Sequence, residues 1–195
     1  MNSIHAAQRR GITFQRYDMS QARQLKPTIE MVYRASYTEA IARGRSCETV
    51  ESFMGRFERH SAIADLDLVI AYHVDEPIGQ IWGWPLHEGT REWDGLIPEP
   101  DEQFTREDGT RTFAIAEIMV IDQWKRKGVA HALHDFLLSA RREERGTLFV
   151  EPDNIPAHRA YERWGWFTIG QLQPTWEDAP LFDVMLIYLN PRECD

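Results

Sequence analysis

Apolar residues recur along this chain with two distinct periods. Over residues 11–17, Ile12, Phe14 and Arg16 alternate with Thr13, Gln15 and Tyr17, a period of two that predicts a first strand. Residues 18–20 can cap a helix, and Pro27 kinks or restarts it within the apolar series Leu25, Ile29, Val32 and Tyr33. After a turn at residues 43–46, Val50, Phe53, Met54 and Phe57 fall at i, i+3, i+4 and i+7 and predict a second helix with one buried stripe. Residues 66–74 and 78–84 read as strands joined at Asp75-Glu76-Pro77. A further strand covers residues 112–121 and carries Phe113, Ile115, Ile118 and Val120. A helix over 129–145, a short strand over 147–150, a further helix, and strands over 167–172 and 182–189 complete the order, with residues 173–180 between the last two. Strand, two helices, three strands, helix, strand, helix, two strands is the pattern of a mixed α/β sheet.

Composition narrows the picture. The chain has 195 residues, 43% of them hydrophobic, which suits a single domain with a sizeable core and argues against wholesale disorder. Residues 1–10 read as a flexible tail and 11–195 as the domain. No apolar run reaches the ~20 residues that span a membrane, and the first ten carry no signal-peptide core. The two cysteines, Cys47 and Cys194, lie far apart and are expected as free thiols in the cytoplasm. The seven histidines form no metal-ligand pattern, so no metal is expected. A net charge of −9 argues against nucleic-acid binding, which draws its affinity from basic surface.

That charge is uneven. Between residues 88 and 110, eight acids (Glu88, Glu92, Asp94, Glu99, Asp101, Glu102, Glu107, Asp108) face only Arg91 and Arg106, leaving −6. The region, an acidic insertion at about 86–111, is either a solvated loop or a rim that concentrates cationic molecules. With over twenty residues it has room for structure of its own.

The candidate chemistry begins where the strand over 112–121 ends. Asp122 is followed by Gln-Trp-Lys-Arg-Lys-Gly and then by a helix-forming run from Val129. A strand running into a basic, glycine-containing turn and a helix N-terminus suits a phosphate. The first helical N–H groups, here of Val129 and Ala130, lack intrahelical partners, and the dipole adds positive charge. Gly128 permits close backbone approach, and Lys125, Arg126 and Lys127 add full charges. Trp124 reads as an anchor for the turn.

Lys125-x-x-Gly128-x-Ala130 resembles the acyl-CoA loop of the GNAT superfamily of acetyl-CoA-dependent N-acetyltransferases, Gln/Arg-x-x-Gly-x-Gly/Ala, with Lys at the first place. Downstream, Asn154, Ala157, Tyr161 and Gly165 match that superfamily's Asn-x-x-Ala-x-x-x-Tyr-x-x-x-Gly-Phe, with Trp166 for Phe. Both motifs, in order over residues 113–166, imply a GNAT fold: a mixed sheet with two splayed central parallel strands, flanked by helices. The resemblance also implies acetyl-CoA as co-substrate, no metal, and an amine-bearing small molecule or peptide as acceptor, attacked directly in a ternary complex. It leaves a homodimer open. The alternative is a GNAT-fold module that binds acyl-CoA or a partner without turnover. Lys125 speaks for that alternative, since lysine lacks arginine's bidentate grip, and Tyr161 speaks against it.

The resemblance places the backbone of Ile118, Met119 and Val120 along the pantetheine. Asn154 fixes the pantetheine arm, or is a plain helix cap. Tyr161 stands where the family's tyrosine protonates the leaving thiolate, a task suited to a phenol with an ordinary pKa of about 10; otherwise it is a core aromatic. Glu117, a carboxylate in an otherwise apolar strand, is the candidate base, directly or through water. It could equally be half of an ion pair or anchor the substrate. Trp82 and Trp84 share a strand face as sheet packing or as a wall of the acceptor pocket. His131 and His134 read as surface or packing residues and not as ligands.

Overall fold

Asn2 opens the described chain by capping a short helix, α1 (Ser3–Gln8), its side chain accepting from the Ile4 amide. The expected flexible tail is therefore corrected over these residues. Six residues do not hold a helix alone; this one buries Ala7 and donates a Ser3 hydroxyl hydrogen bond to Asp135, contacts no local pattern reveals. The computed structural model describes residues 2–44, 46–174 and 179–189. The expectations for the Cys47 and Cys194 thiols, for Arg45 in its turn and for part of residues 173–180 lie outside what is described.

Strand β1 (Ile12–Tyr17) follows, and Asp18 forms a reciprocal capping box with Gln21 at the start of α2 (Met19–Ala22). After a 3-10 turn, α3 (Lys26–Ser36) carries Pro27 in its first turn, so the proline restarts the helix. A further helix, α4 (Thr38–Arg43), was not foreseen. In α5 (Val50–His60) the predicted stripe buries Phe53 and Phe57 completely. Strands β2 (Asp67–His73) and β3 (Glu76–Pro85) meet at Val74 and Asp75, both with positive φ (50° and 65°). The two-residue turn thus lies one residue earlier than predicted, in the conformation that matches strand twist.

The remaining elements are α6 (Glu102–Thr105), β4 (Thr112–Val120), α7 (Val129–Leu138), β5 (Arg145–Val150), α8 (Ile155–Arg163), β6 (Phe167–Leu172) and β7 (Phe182–Tyr188). Helix α7 ends well short of the predicted residue 145. The Arg-Arg-Glu-Glu run after it favours helix locally, but tertiary contacts override that preference. Arg141 lies 4.3 Å from the Phe113 ring centroid and pairs with the buried Glu143, while Arg145 already belongs to β5.

The seven strands form one mixed sheet in the order β1-β2-β3-β4-β5-β7-β6. The chain divides into two compact units, Met1–Trp84 with Glu117–Ala140, and Pro85–Ala116 with Arg141–Asp195; β4 contributes to both. In the first, β1 pairs antiparallel with β2 and β2 with β3, over a core of Ile12, Ile29, Val32, Phe53, Phe57, Leu68, Ile70, Ile81 and Trp82. In the second, Thr112–Ile115 of β4 runs parallel to Arg145–Leu148 of β5, and β7 lies antiparallel between β5 and β6. Phe113, Leu148, Trp166, Val184, Met185 and Leu186 fill its core. Among the described residues no helix is long and apolar enough to cross a membrane.

The acidic insertion is folded, with its own buried centre in the second unit. Trp93 and Leu96 are buried, and Ile97 bridges to Gln171 of β6. Its centre is an ion pair between Glu107 and Arg145 at 3.0 Å, with side chains 0% and 7% exposed. Arg145 also donates to the Phe104 carbonyl (2.6 Å) and to the Thr112 hydroxyl (2.7 Å), and its guanidinium lies 4.1 Å from the Phe104 ring centroid. The Trp93 indole N–H and the Thr112 hydroxyl both donate to Glu107 Oε1, whereas Glu107 Oε2 is buried without a hydrogen-bond partner.

Burial, reinforced by the charge of Glu107, raises the Glu92 carboxyl to about 7. A raised carboxyl binds more protons folded than unfolded, so its contribution is complete below the ordinary value of 4.5 and is lost as pH climbs to about 7. Glu92→Gln should accordingly leave the protein more stable than wild type at pH 8, by about 1–3 kcal/mol, with the advantage fading toward pH 5. Denaturant unfolding across pH checks this, and parallel wild-type and variant profiles would refute it.

Candidate active site

The turn that enters α7 is held by contacts within the first unit. The Ile121 amide donates to the Ile78 carbonyl (3.0 Å), fixing the end of β4 against β3. Gly79 beside it has no room for a Cβ, which would stand 2.9 Å from the Met119 carbonyl oxygen. Trp124 packs on His73 with centroids 4.7 Å apart, as its reading as an anchor requires. The Lys127 ammonium lies 4.9 Å from the Trp124 ring centroid, and the Lys127 carbonyl accepts from Arg10 at 2.7 Å.

Two of the three cations expected to face a phosphate have other partners. Lys125 donates to the Ser36 carbonyl at the end of α3 (2.7 Å) and pairs with Asp122 (2.6 Å), so it ties the turn to α3. Lys127 covers Trp124, and Arg126, at φ 61°, is exposed. What the turn offers an anion is its backbone. Gly128 occupies the N-cap of α7 with φ 81°, no side chain caps that terminus, and an ideal Cβ at Gly128 meets nothing within 4 Å. Uncapped N–H groups of Val129 and Ala130 beside open space fit a diphosphate.

On β4, Met119 and Val120 are buried and Ile118 is half-buried. Glu117 is 18% exposed in its side chain and lies 3.5 Å from Arg56 of α5. Burial raises its pKa and the guanidinium pulls it back, and of the readings open for Glu117 the ion pair is the one present in the structure. The α5 partners escaped the sequence reading. Arg56 and His60 sit one turn apart on that helix, a spacing visible in the sequence but unremarkable without the fold.

His60 decides the fate of the two tryptophans. The Trp82 indole N–H donates to His60 Nδ1 at 3.3 Å, and Trp82 is fully buried between Phe53, Phe57 and His60. Trp82 is therefore core packing, which corrects its reading as a pocket wall. The reason is that α5 lays its aromatic stripe on this face of β3. Trp84 is half-buried, with its ring 4.8 Å from that of His60. Burial, with Arg56 and Arg59 adding repulsion, lowers the His60 pKa to about 4. The ring is thus neutral at physiological pH with Nδ1 as acceptor, which puts its proton on Nε2.

The second unit carries the downstream motif. Asn154 caps α8, its side chain accepting from the Ala157 amide at 3.3 Å, so the plain helix-cap reading is realised. Tyr161 is half-buried on α8, edge-on to Trp164 (5.6 Å) and tilted against Trp166 (6.2 Å). Trp166 is 2% exposed and reaches Gly146 of β5, where a Cβ would stand 3.1 Å from it, so the larger ring packs helix against sheet.

An uncapped helix start directly after a parallel-paired strand is an arrangement that suits an anion. The chain matches the Acetyltransferase (GNAT) family over residues 33–166 and belongs to it; it is an acyltransferase. No curated protein matches the sequence. Its fold is shared with solved structures of low identity. The ribosomal-protein-S18-alanine N-acetyltransferase from Escherichia coli aligns with TM-score 0.61 and 12% identity, over 94% of this chain and 99% of that one. An aminoglycoside 6'-acetyltransferase type Ii aligns with TM-score 0.60 and 15% identity, over 92% and 99%. The PaiA N-acetyltransferase from Thermoplasma acidophilum, solved in complex with coenzyme A, aligns with TM-score 0.56 and 12% identity, over 91% and 98%.

Proposed function

We propose that this acetyltransferase moves an acetyl group from acetyl-CoA to a primary amine of a cationic small molecule, by direct attack, in the cytoplasm. The observation that carries the reading is the α7 entry: a left-handed Gly128, uncapped N–H groups and open space where a diphosphate would sit. Acetyl-CoA supplies the activated acyl carbon and a thiolate leaving group. Val129 and Ala130 hold the diphosphate by backbone N–H groups, Arg126 adds charge, and the backbone of Ile118, Met119 and Val120 pairs with the pantetheine. Glu117 accepts the proton that the amine sheds as its nitrogen attacks, directly or through water. Tyr161 donates a proton to sulfur as the carbon–sulfur bond breaks. Coenzyme A in the PaiA structure supports the choice of donor.

Acceptor charge is argued from the insertion. Glu107 is committed to Arg145, Asp94 pairs with Arg91, and Asp101 caps α6. The Glu92 carboxyl is raised to about 7 and Asp108 accepts from the Thr110 amide and hydroxyl, while Glu88, Glu99 and Glu102 stay exposed as carboxylates able to attract a cation. The test is thiol release from acetyl-CoA over a panel of cationic, neutral and anionic amines. A cationic amine should be preferred, and its KM should rise severalfold with added salt and in Glu88→Gln/Glu99→Gln/Glu102→Gln, with CoA affinity held. Transfer to a peptide N-terminus or lysine alone would move the acceptor to the peptide class. CoA binding with no release for any amine would leave a binding module.

A further inference from the structure

We propose that His131, His134 and Asp135 form a binding site for one divalent transition-metal ion of the Zn²⁺ class. The three lie on α7 at i, i+3 and i+4, which places the two later side chains one turn above the first. Asp135 Oδ1 is 2.9 Å from His134 Nδ1 and 3.5 Å from His131 Nε2, and one ligand atom from each residue lies within 4.8 Å of the others. Neighbouring ligands on a tetrahedral Zn²⁺ with bonds of about 2.0–2.1 Å stand about 3.3 Å apart. The two carboxylate edges bracket that spacing, and rotation of the His131 ring, 41% exposed, closes the third.

An outer contact already orients the carboxylate. The Ser3 hydroxyl of α1 donates to Asp135 Oδ2, so Oδ1 is the oxygen turned toward both imidazoles. A hydroxyl that aims a ligating carboxylate is a recurrent feature around bound metals. The His134 side chain is 5% exposed, which holds its ring in place, while the open side at His131 provides an entry path for the ion and for a water as fourth ligand. Two imidazoles and one carboxylate suit Zn²⁺, Co²⁺ or Ni²⁺, whereas Ca²⁺ and Mg²⁺ call for all-oxygen sets. The site lies apart from Glu117 and Tyr161 in sequence and needs neither. Helix α1 joins the site through the Ser3 hydrogen bond to Asp135.

The test uses the untagged full-length chain, stripped with chelator and titrated with Zn²⁺ by calorimetry and with Co²⁺ by visible absorbance. One equivalent should bind, with tetrahedral Co²⁺ bands that Zn²⁺ abolishes, and Zn²⁺ but not Mg²⁺ should raise Tm. His131→Ala, at an exposed position, should weaken binding at least tenfold while leaving the fold intact, and Ser3→Ala should weaken it about 10- to 100-fold. His134→Ala alters a buried residue, so the exposed variant keeps the test decisive if that protein fails to fold. Absence of saturable binding overturns the proposal. So does undiminished binding in both His131→Ala and Asp135→Asn, which would leave the cluster a hydrogen-bonded packing set.

Discussion

Replacing Tyr161 by Phe should lower kcat by about 10²- to 10⁴-fold, the usual cost of losing a general acid, while acetyl-CoA affinity and Tm stay close to wild type. The ring is what the second unit uses structurally: it packs edge-on to Trp164 and against Trp166, and phenylalanine preserves both contacts. Only the hydroxyl is removed. Separating kcat from KM is therefore the informative measurement, because a packing residue would alter stability and leave the chemical step alone. A kcat reduced less than about threefold with a good acceptor would assign protonation of the thiolate to water or another group. Glu117→Gln complements this variant. Its charge is removed beside Arg56, so its pH–rate profile should lose the acidic limb set by the base.

Arg145→Met is expected to be the most destabilising single change in the second unit. It leaves Glu107, fully buried in its side chain, facing Thr112 and Trp93 without its cation. Removing one member of a buried pair costs about 3–5 kcal/mol, because the survivor is a desolvated, uncompensated charge. For a chain of this size that corresponds to a Tm lower by roughly 6–20 °C. The lost guanidinium also releases the Phe104 carbonyl and the stacking on Phe104, so protease sensitivity should appear within residues 86–111. Adding Glu107→Gln should recover much of the loss, since the remaining group then carries no charge. A single variant as stable as wild type, or a double variant no better than the single, would mean that the pair is solvated in solution.

The contrast between these two positions shows what a linear pattern can carry. Tyr161 was recognisable because its place is fixed by short-range spacing: Asn154, Ala157 and Gly165 stand at helical intervals around it. The strand, turn and helix at residues 112–138 were recognisable for the same reason. Alternating apolar residues, one glycine at a helix N-cap and a run of helix formers are local signals of backbone conformation. Arg145 and Glu107 are 38 residues apart, and nothing near either one signals the other. The charge count over residues 88–110 treated all eight acids alike. In the fold, one is ion-paired in a core, one caps a helix and one is held protonated toward neutrality.

The sequence by itself determined the order of strands and helices around the candidate site, the GNAT resemblance and the positions of Gly128 and Tyr161, because each depends on backbone geometry within a few residues. Tertiary structure decided the rest. It folded the first residues into α1 and ended α7 early. It also assigned Lys125 to Ser36, buried Trp82 against α5 and set Ser3 of α1 against Asp135. Those outcomes depend on which side chains meet across long sequence separations. There burial, charge pairing and hydrogen-bond satisfaction outweigh local preferences worth only tenths of a kcal/mol to about 1 kcal/mol per residue.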